Sequence, residues 1–148
     1  MHVHDGRSEL FKVAIKRRAD ARRLYEGGRP HYSGAMYLAG YSVECKMKAI
    51  VMEIMGVVTL RGLAEKLRMD DGDIYTHGLD AILELSPLRD QLRRSDVWLD
   101  FVSQVNRWRP SWRDDPRERS GAEAKRYLDA VDRVYNWLDA GRYGGHRG

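Results

Sequence analysis

The stretch from Tyr32 to Met55, YSGAMYLAGYSVECKMKAIVMEIM, contains no proline and places apolar side chains on nearly every face of a helix. It predicts one helix of about six turns. A helix apolar all round belongs at the centre of a bundle and not on its surface. Glu44 and Lys48, spaced i,i+4, stand together on one side of it, and Lys46 and Glu53 fall on other faces. Charge at such a position is costly unless it is paired or partly solvated. Two readings of Glu44 and Lys48 follow: a self-neutralising structural pair, or the floor of a polar site.

The remaining apolar residues also recur at helical spacing, and strand signals are nearly absent. Ser8 is the expected N-cap of a first helix that ends at Glu26, stopped by Gly27-Gly28 and kept from resuming by Pro30. Its inward stripe is read as Phe11, Ala14, Ile15, Ala21, Leu24 and Tyr25. A shorter helix spans about 60–69 and gives way to the turn DDGDIYTHG. Another covers about 78–92, with Leu79, Ile82, Leu83 and Leu85 inward and Pro87 kinking or splitting it. Ser95 is expected to cap a helix carrying Trp98, Leu99, Phe101, Val102 and Val105. The stretch from 109 to 121, with two prolines and no apolar period, reads as a loop. Ser120 and Glu123 form a capping box for a last helix whose stripe is Tyr127, Leu128, Val131, Val134, Tyr135 and Leu138. The expected fold is therefore all-α: an antiparallel four-to-five helix bundle, one domain over 8–140, with flexible tails at 1–7 and 141–148.

A chain of 148 residues with 43% hydrophobic and 32% charged residues can bury a core as one soluble domain. Its single cysteine, Cys45, excludes an internal disulfide framework, fits a reducing cytoplasm and reads as a small core hydrophobe. The N-terminal MHVHDGRSELFK lacks the apolar segment of a secretory signal, and no run is long and apolar enough to span a bilayer. The net charge of +4 is unevenly distributed. Seven cations between Lys12 and Arg29, Arg17 and Arg18 among them, outnumber Asp20 and Glu26. Five arginines between Arg107 and Arg119 face Asp114, Asp115 and Glu118. Such clusters suit phosphate backbones; a solvated helix face is the plainer account.

The five histidines form no i,i+3 or i,i+4 pair, and neither a Cys pair nor a carboxylate cluster marks the central helix, so neither metal nor cofactor is expected. His77 follows an acidic turn and precedes Leu79; it reads as a capping or packing residue, or as a general acid/base or phosphate contact. The segment from Asn106 to Arg113 interleaves cations and aromatics. Arg107, Trp108, Arg109, Trp112 and Arg113 could serve as a base-stacking, phosphate-binding surface, or the tryptophans could pin the loop while the arginines face water.

The string YLAGYSVECKMKA at 37–49, the His77-x-Leu79-x3-Leu83 spacing and the Trp-rich segment before a last amphipathic helix resemble the HEPN family. HEPN names nucleotide-binding helical domains shared by higher eukaryotes and prokaryotes, and the similarity covers roughly 8–140. The resemblance implies an up-and-down bundle, usually homodimeric. Such proteins are often encoded beside a small nucleotidyltransferase or within toxin–antitoxin or antiviral loci. Many HEPN proteins are metal-independent endoribonucleases with an Arg-x4–6-His motif. This chain departs from it: no arginine lies five to seven positions before any histidine, and Arg142 and His146 are four apart.

Two functions stand on this reading. One is a homodimeric module that binds RNA, a nucleotide or a partner nucleotidyltransferase without hydrolysis. The other is a ribonuclease with a rearranged site, in which His77 moves the proton, Lys48 with Arg109 or Arg113 stabilises the phosphate and Glu44 orients Lys48.

Overall fold

The computed structural model describes residues 6–70, 72, 83–84 and 86–141. Among these the chain is all-α, an assembly of three long helices and three short ones with no strand. The helices are α1 (Arg7–Glu26), α2 (Tyr32–Met55), α3 (Leu60–Leu67), α4 (Leu88–Arg93), α5 (Trp98–Ser103) and α6 (Gly121–Asp139). Two 3-10 turns, Val105–Arg107 and Pro110–Asp114, lie between α5 and α6.

As its composition demands, α2 is the axis: every residue from Ser42 to Met52 is buried. Gly56 ends it in the left-handed conformation (φ 71°), and the Val57 amide reaches back to the Met52 carbonyl. The five residues between α1 and α2 make these helices antiparallel, and the Arg7 amide bonds to the Val58 carbonyl at the far end. Gly28, at φ 70°, turns this connection, and the Arg29–Pro30 bond is cis.

The last helix runs in the same direction as α2. Gly121 abuts Tyr32 at one end, and Asp139 takes the Lys46 ammonium near the other. The expected cap is present: the Ser120 hydroxyl accepts the Glu123 amide at 3.0 Å. Glu123 does not complete the box, because its carboxylate binds Arg119 instead. Tyr127, Val131, Val134, Tyr135 and Leu138 all face the core as the spacing predicts, with Leu128 half-buried. Side chains of this kind each contribute about 1.5–3 kcal/mol on burial.

Several expectations are corrected. The first helix begins at Arg7 after Gly6, with no side-chain cap, so Ser8 is helical. Ile15 is 65% exposed; the inward face instead carries Leu10, Val13, Ala14 and Ala21, with Arg17 and Arg18 half-buried between them. On α5, Leu99 is 74% exposed and Val102 also faces outward, because the helix stops at Ser103 and a 3-10 turn re-phases Val105 inward. Ser95 closes the turn after α4 by bonding to Leu92, and Val97 occupies the N-cap of α5. The helix from 60 ends at Leu67, where Arg68 adopts the left-handed conformation. Part of the expected loop, Pro110–Asp114, is a 3-10 turn. Of the expected helix over 78–92, α4 accounts for the portion after Pro87; Leu79, Ile82 and Leu85 lie outside the described residues. So do His77, residues 1–5 and residues 142–148.

Candidate functional site: an arginine–tyrosine surface over α2

Glu44 and Lys48 are 4% and 5% exposed, and the Lys48 ammonium donates to the Glu44 carboxylate at 3.2 Å. Burial raises the Glu44 pKa, and the Lys48 charge opposes that rise. The pair is thus closed on itself, the first of the two readings. The third charge, Lys46, leaves α2 toward Asp139, its ammonium lying 5.1 Å from the Phe11 ring and 5.2 Å from the Tyr135 ring. Cys45 is buried, and its thiol is pushed up to about 12, chiefly by that burial.

Arg113 does not join the pair. It is an exposed residue whose charge acts on the Tyr37 hydroxyl, as does that of Glu44. Among the described residues Arg113 forms no ion pair with Glu44, and His77 falls outside them.

Trp108 is a core residue at 1% exposure, its indole N–H donating to the Tyr37 carbonyl at 3.0 Å. A base cannot stack on it without unpacking the bundle, so its expected nucleic-acid role is corrected. Its seat is made by Gly40. A Cβ there would lie 2.0 Å from Trp108 Cδ1 and 2.6 Å from the Tyr127 hydroxyl. The glycine of YLAGYSVEC thus lets the indole rest directly on the helix backbone.

Trp112 is also occupied. Its ring packs 5.2 Å from that of Tyr127, and the guanidinium of Arg119 lies over it at 4.9 Å. Arg119 is buried and bridges Glu123 and Asp115, an anchor for the 109–120 segment that the linear pattern does not single out. Asp115 also takes Arg117, whose hydrogen bonds hold its pKa down to about 2. Arg107 is drawn to Gln104 and Glu123.

The two basic stretches have different fates. Arg17 pairs with Asp20 at 2.7 Å. Arg18 and Arg22 share Asp132 on α6, and Arg18 also reaches Asn136. These arginines pin α1 to α6. Arg109, by contrast, is exposed and donates to the carbonyls of Asn106 and Trp108, with no acidic partner among the described residues. Arg113 has Asp114 at 3.8 Å, a loose and solvated contact.

The linear reading missed a further feature of α2. Tyr37 and Tyr41, one turn apart on α2, are half-buried, and their rings are parallel within 4° at 6.1 Å, both backed by Trp108. Their i,i+4 spacing was the available signal, masked by reading all of α2 as core. Uncompensated guanidinium beside partly exposed aromatic rings can hold phosphates and stack bases.

Among the described residues, no group of three or more His, Cys, Asp or Glu side chains is placed to hold a metal ion. No described helix is long and apolar enough to cross a membrane. No protein-family model matches the chain, and no curated protein or solved structure matches it.

Proposed function

We propose that this chain is a HEPN-like binding and assembly module that contacts RNA without hydrolysing it. We place it in the cytoplasm as a homodimer within a prokaryotic toxin–antitoxin or antiviral module, where a small nucleotidyltransferase is the expected partner. The observation that carries this reading is the closure of Glu44 on Lys48. With both side chains buried and mutually neutralised, neither is presented to a scissile phosphate. The exposed Arg109 and Arg113, the latter acting on the Tyr37 hydroxyl, and the half-buried Tyr37 and Tyr41 support RNA as the ligand. Exposed Leu99 and Val102, one turn apart on α5, support self-association. The tryptophans do not, since Trp108 and Trp137 are buried and Trp98 and Trp112 are packed against the core.

Fluorescence anisotropy with a single-stranded RNA, titrated against salt in EDTA, tests this. Replacing Arg109 and Arg113 with glutamine is expected to reduce the log–log salt slope by about 0.7 per lost phosphate contact. Replacing Tyr37 with leucine is expected to lower affinity by about 1–3 kcal/mol with little change of slope. An unaltered slope in the arginine variant, or no binding at low salt, refutes the RNA reading. RNA cleavage that survives EDTA and vanishes in His77→Ala would install the ribonuclease reading instead. Sedimentation showing only a 17.1 kDa species at micromolar concentration would remove the dimer.

A further inference from the structure

The charged residues from Glu84 to Asp96 form no ion pair among the described residues. Glu84, Asp90 and Asp96 are acids and Arg89, Arg93 and Arg94 are bases, so the stretch is neutral as a whole. Arg89 is half-buried and the other five are exposed. Charges on neighbouring elements are spent differently. Arg22 of α1 holds Asp132 of α6, and Arg133 of α6 holds Asp100 of α5.

The helix that follows this stretch carries uncovered apolar side chains. Leu99 is 74% exposed and Val102 41%, one turn apart on α5. The other exposed large hydrophobics among the described residues, Ile15 and Val58, stand on α1 and in the turn after α2. With Trp98, Phe101 and Val102, α5 also lines an open cavity of about 290 Å³, to which Glu84 and Arg89 contribute. The four carbons of a leucine side chain displace about the volume of four water molecules, roughly 120 Å³, so an aliphatic side chain fits there.

A surface that meets its own copy about a two-fold axis must carry both halves of each contact. This one does. A protruding leucine and a recess belong to the same short helix, and free charges of both signs stand beside them in equal number. A phosphate backbone calls for a net positive surface, which a balanced set does not offer.

From this we infer that the α4–α5 face is an isologous contact between two copies of this chain. Leu99 of each copy enters the cavity of the other, and the acids and arginines of 84–96 pair across the two-fold axis. The inference rests on the homodimer proposed above and assigns it a surface.

Sedimentation velocity of the full chain at micromolar concentration and low salt tests the inference. The unaltered protein is expected to run as a dimer. Leu99→Glu is expected to raise the dimer Kd at least about tenfold. Its melting temperature as a monomer should stay high, because the side chain it replaces is exposed. Arg93→Glu/Arg94→Glu makes the stretch net acidic, and Asp90→Lys/Asp96→Lys makes it net basic. Each is expected to be monomeric alone, since a like-charged face repels its own copy, and an equimolar mixture of the two to restore the dimer. A monomeric unaltered protein removes the homodimer reading and this inference with it. A dimer that keeps its Kd in all the variants leaves the homodimer standing and overturns the α4–α5 contact alone. Variants that dissociate but do not recombine on mixing also overturn it, because their charges then face something other than their own copy. Should Leu99→Glu fail to fold, the mixing experiment still decides.

Discussion

Removing the Lys48 ammonium while keeping its aliphatic stem, as in Lys48→Met, isolates the electrostatics of the central helix. The two side chains of the pair are 7% and 6% exposed, so the variant leaves a carboxylate with neither partner nor solvent. Breaking a buried pair from one side costs about 3–5 kcal/mol. Glu44 has an escape by taking a proton, and burial already favours its neutral form with Lys48 present. Without Lys48, which lowers that pKa, the proton is held more tightly still. A carboxyl whose folded-state pKa lies above its unfolded value of 4.5 stabilises the fold fully below that value. The contribution is lost as pH rises through the folded value. The penalty in Lys48→Met is therefore expected to be about 3 kcal/mol near pH 8 and smaller near pH 5, where Glu44 takes up its proton more readily. In a domain of this size, 3 kcal/mol corresponds to a fall in Tm of about 6–12 °C. Circular-dichroism melts at both pH values, with Glu44→Gln/Lys48→Met alongside, provide the assay. The double variant should recover at least half of the loss at the higher pH and show little pH dependence. A Tm shift under about 2 °C, or one of equal size at both pH values, would show that the pair is solvated and the reasoning wrong.

Gly40→Ala is expected to cost about 3 kcal/mol despite the better helix propensity of alanine, because the new methyl collides with the Trp108 ring and the Tyr127 hydroxyl; an unchanged melt would refute the close packing. Arg119→Ala should loosen the anchor of the 109–120 segment and accelerate tryptic cleavage within it, with a loss of about 1–3 kcal/mol; equal digestion rates would contradict this. The Asp115 carboxyl, held down by Arg117, should titrate by NMR near 2, so its ion pairs persist above 3.8 and dissolve as pH falls through about 2; a midpoint at the ordinary value would remove them.

What could be read from the linear chain was what repeats over many turns. α2 and α6 are long enough that composition and period each determine one answer, and the Ser120 cap marks where α6 begins. The failures have local causes. On α1 the stems of Arg17 and Arg18 occupy half-buried ground while Ile15 points out, an exchange that hydropathy scores backwards because long cations bury their methylenes. On α5 six residues are too few to hold a phase, and Leu99 and Val102 follow a helical period that the chain abandons at Gln104. The tryptophans were legible as a cluster but not in their depth. Whether Trp108 faces a base or the core depends on Gly40, sixty-eight residues away in sequence, and on its bond to the Tyr37 carbonyl. The tyrosine pair escaped notice for the opposite reason, since an apolar helix conceals a half-open strip among its buried neighbours.

Cys45 gives the molecule a built-in stopwatch. Its thiol is the only one in the chain, is buried, and is pushed up to about 12, so at neutral pH only a tiny fraction of native molecules carries the reactive thiolate. It lies in the segment of α2 that is buried on every face. A small alkylating reagent therefore waits for the bundle itself to open and not for a surface fluctuation. The pace of labelling, followed by mass spectrometry, reads the population of that open state, and at reagent concentrations where alkylation outpaces reclosing it reads the opening rate.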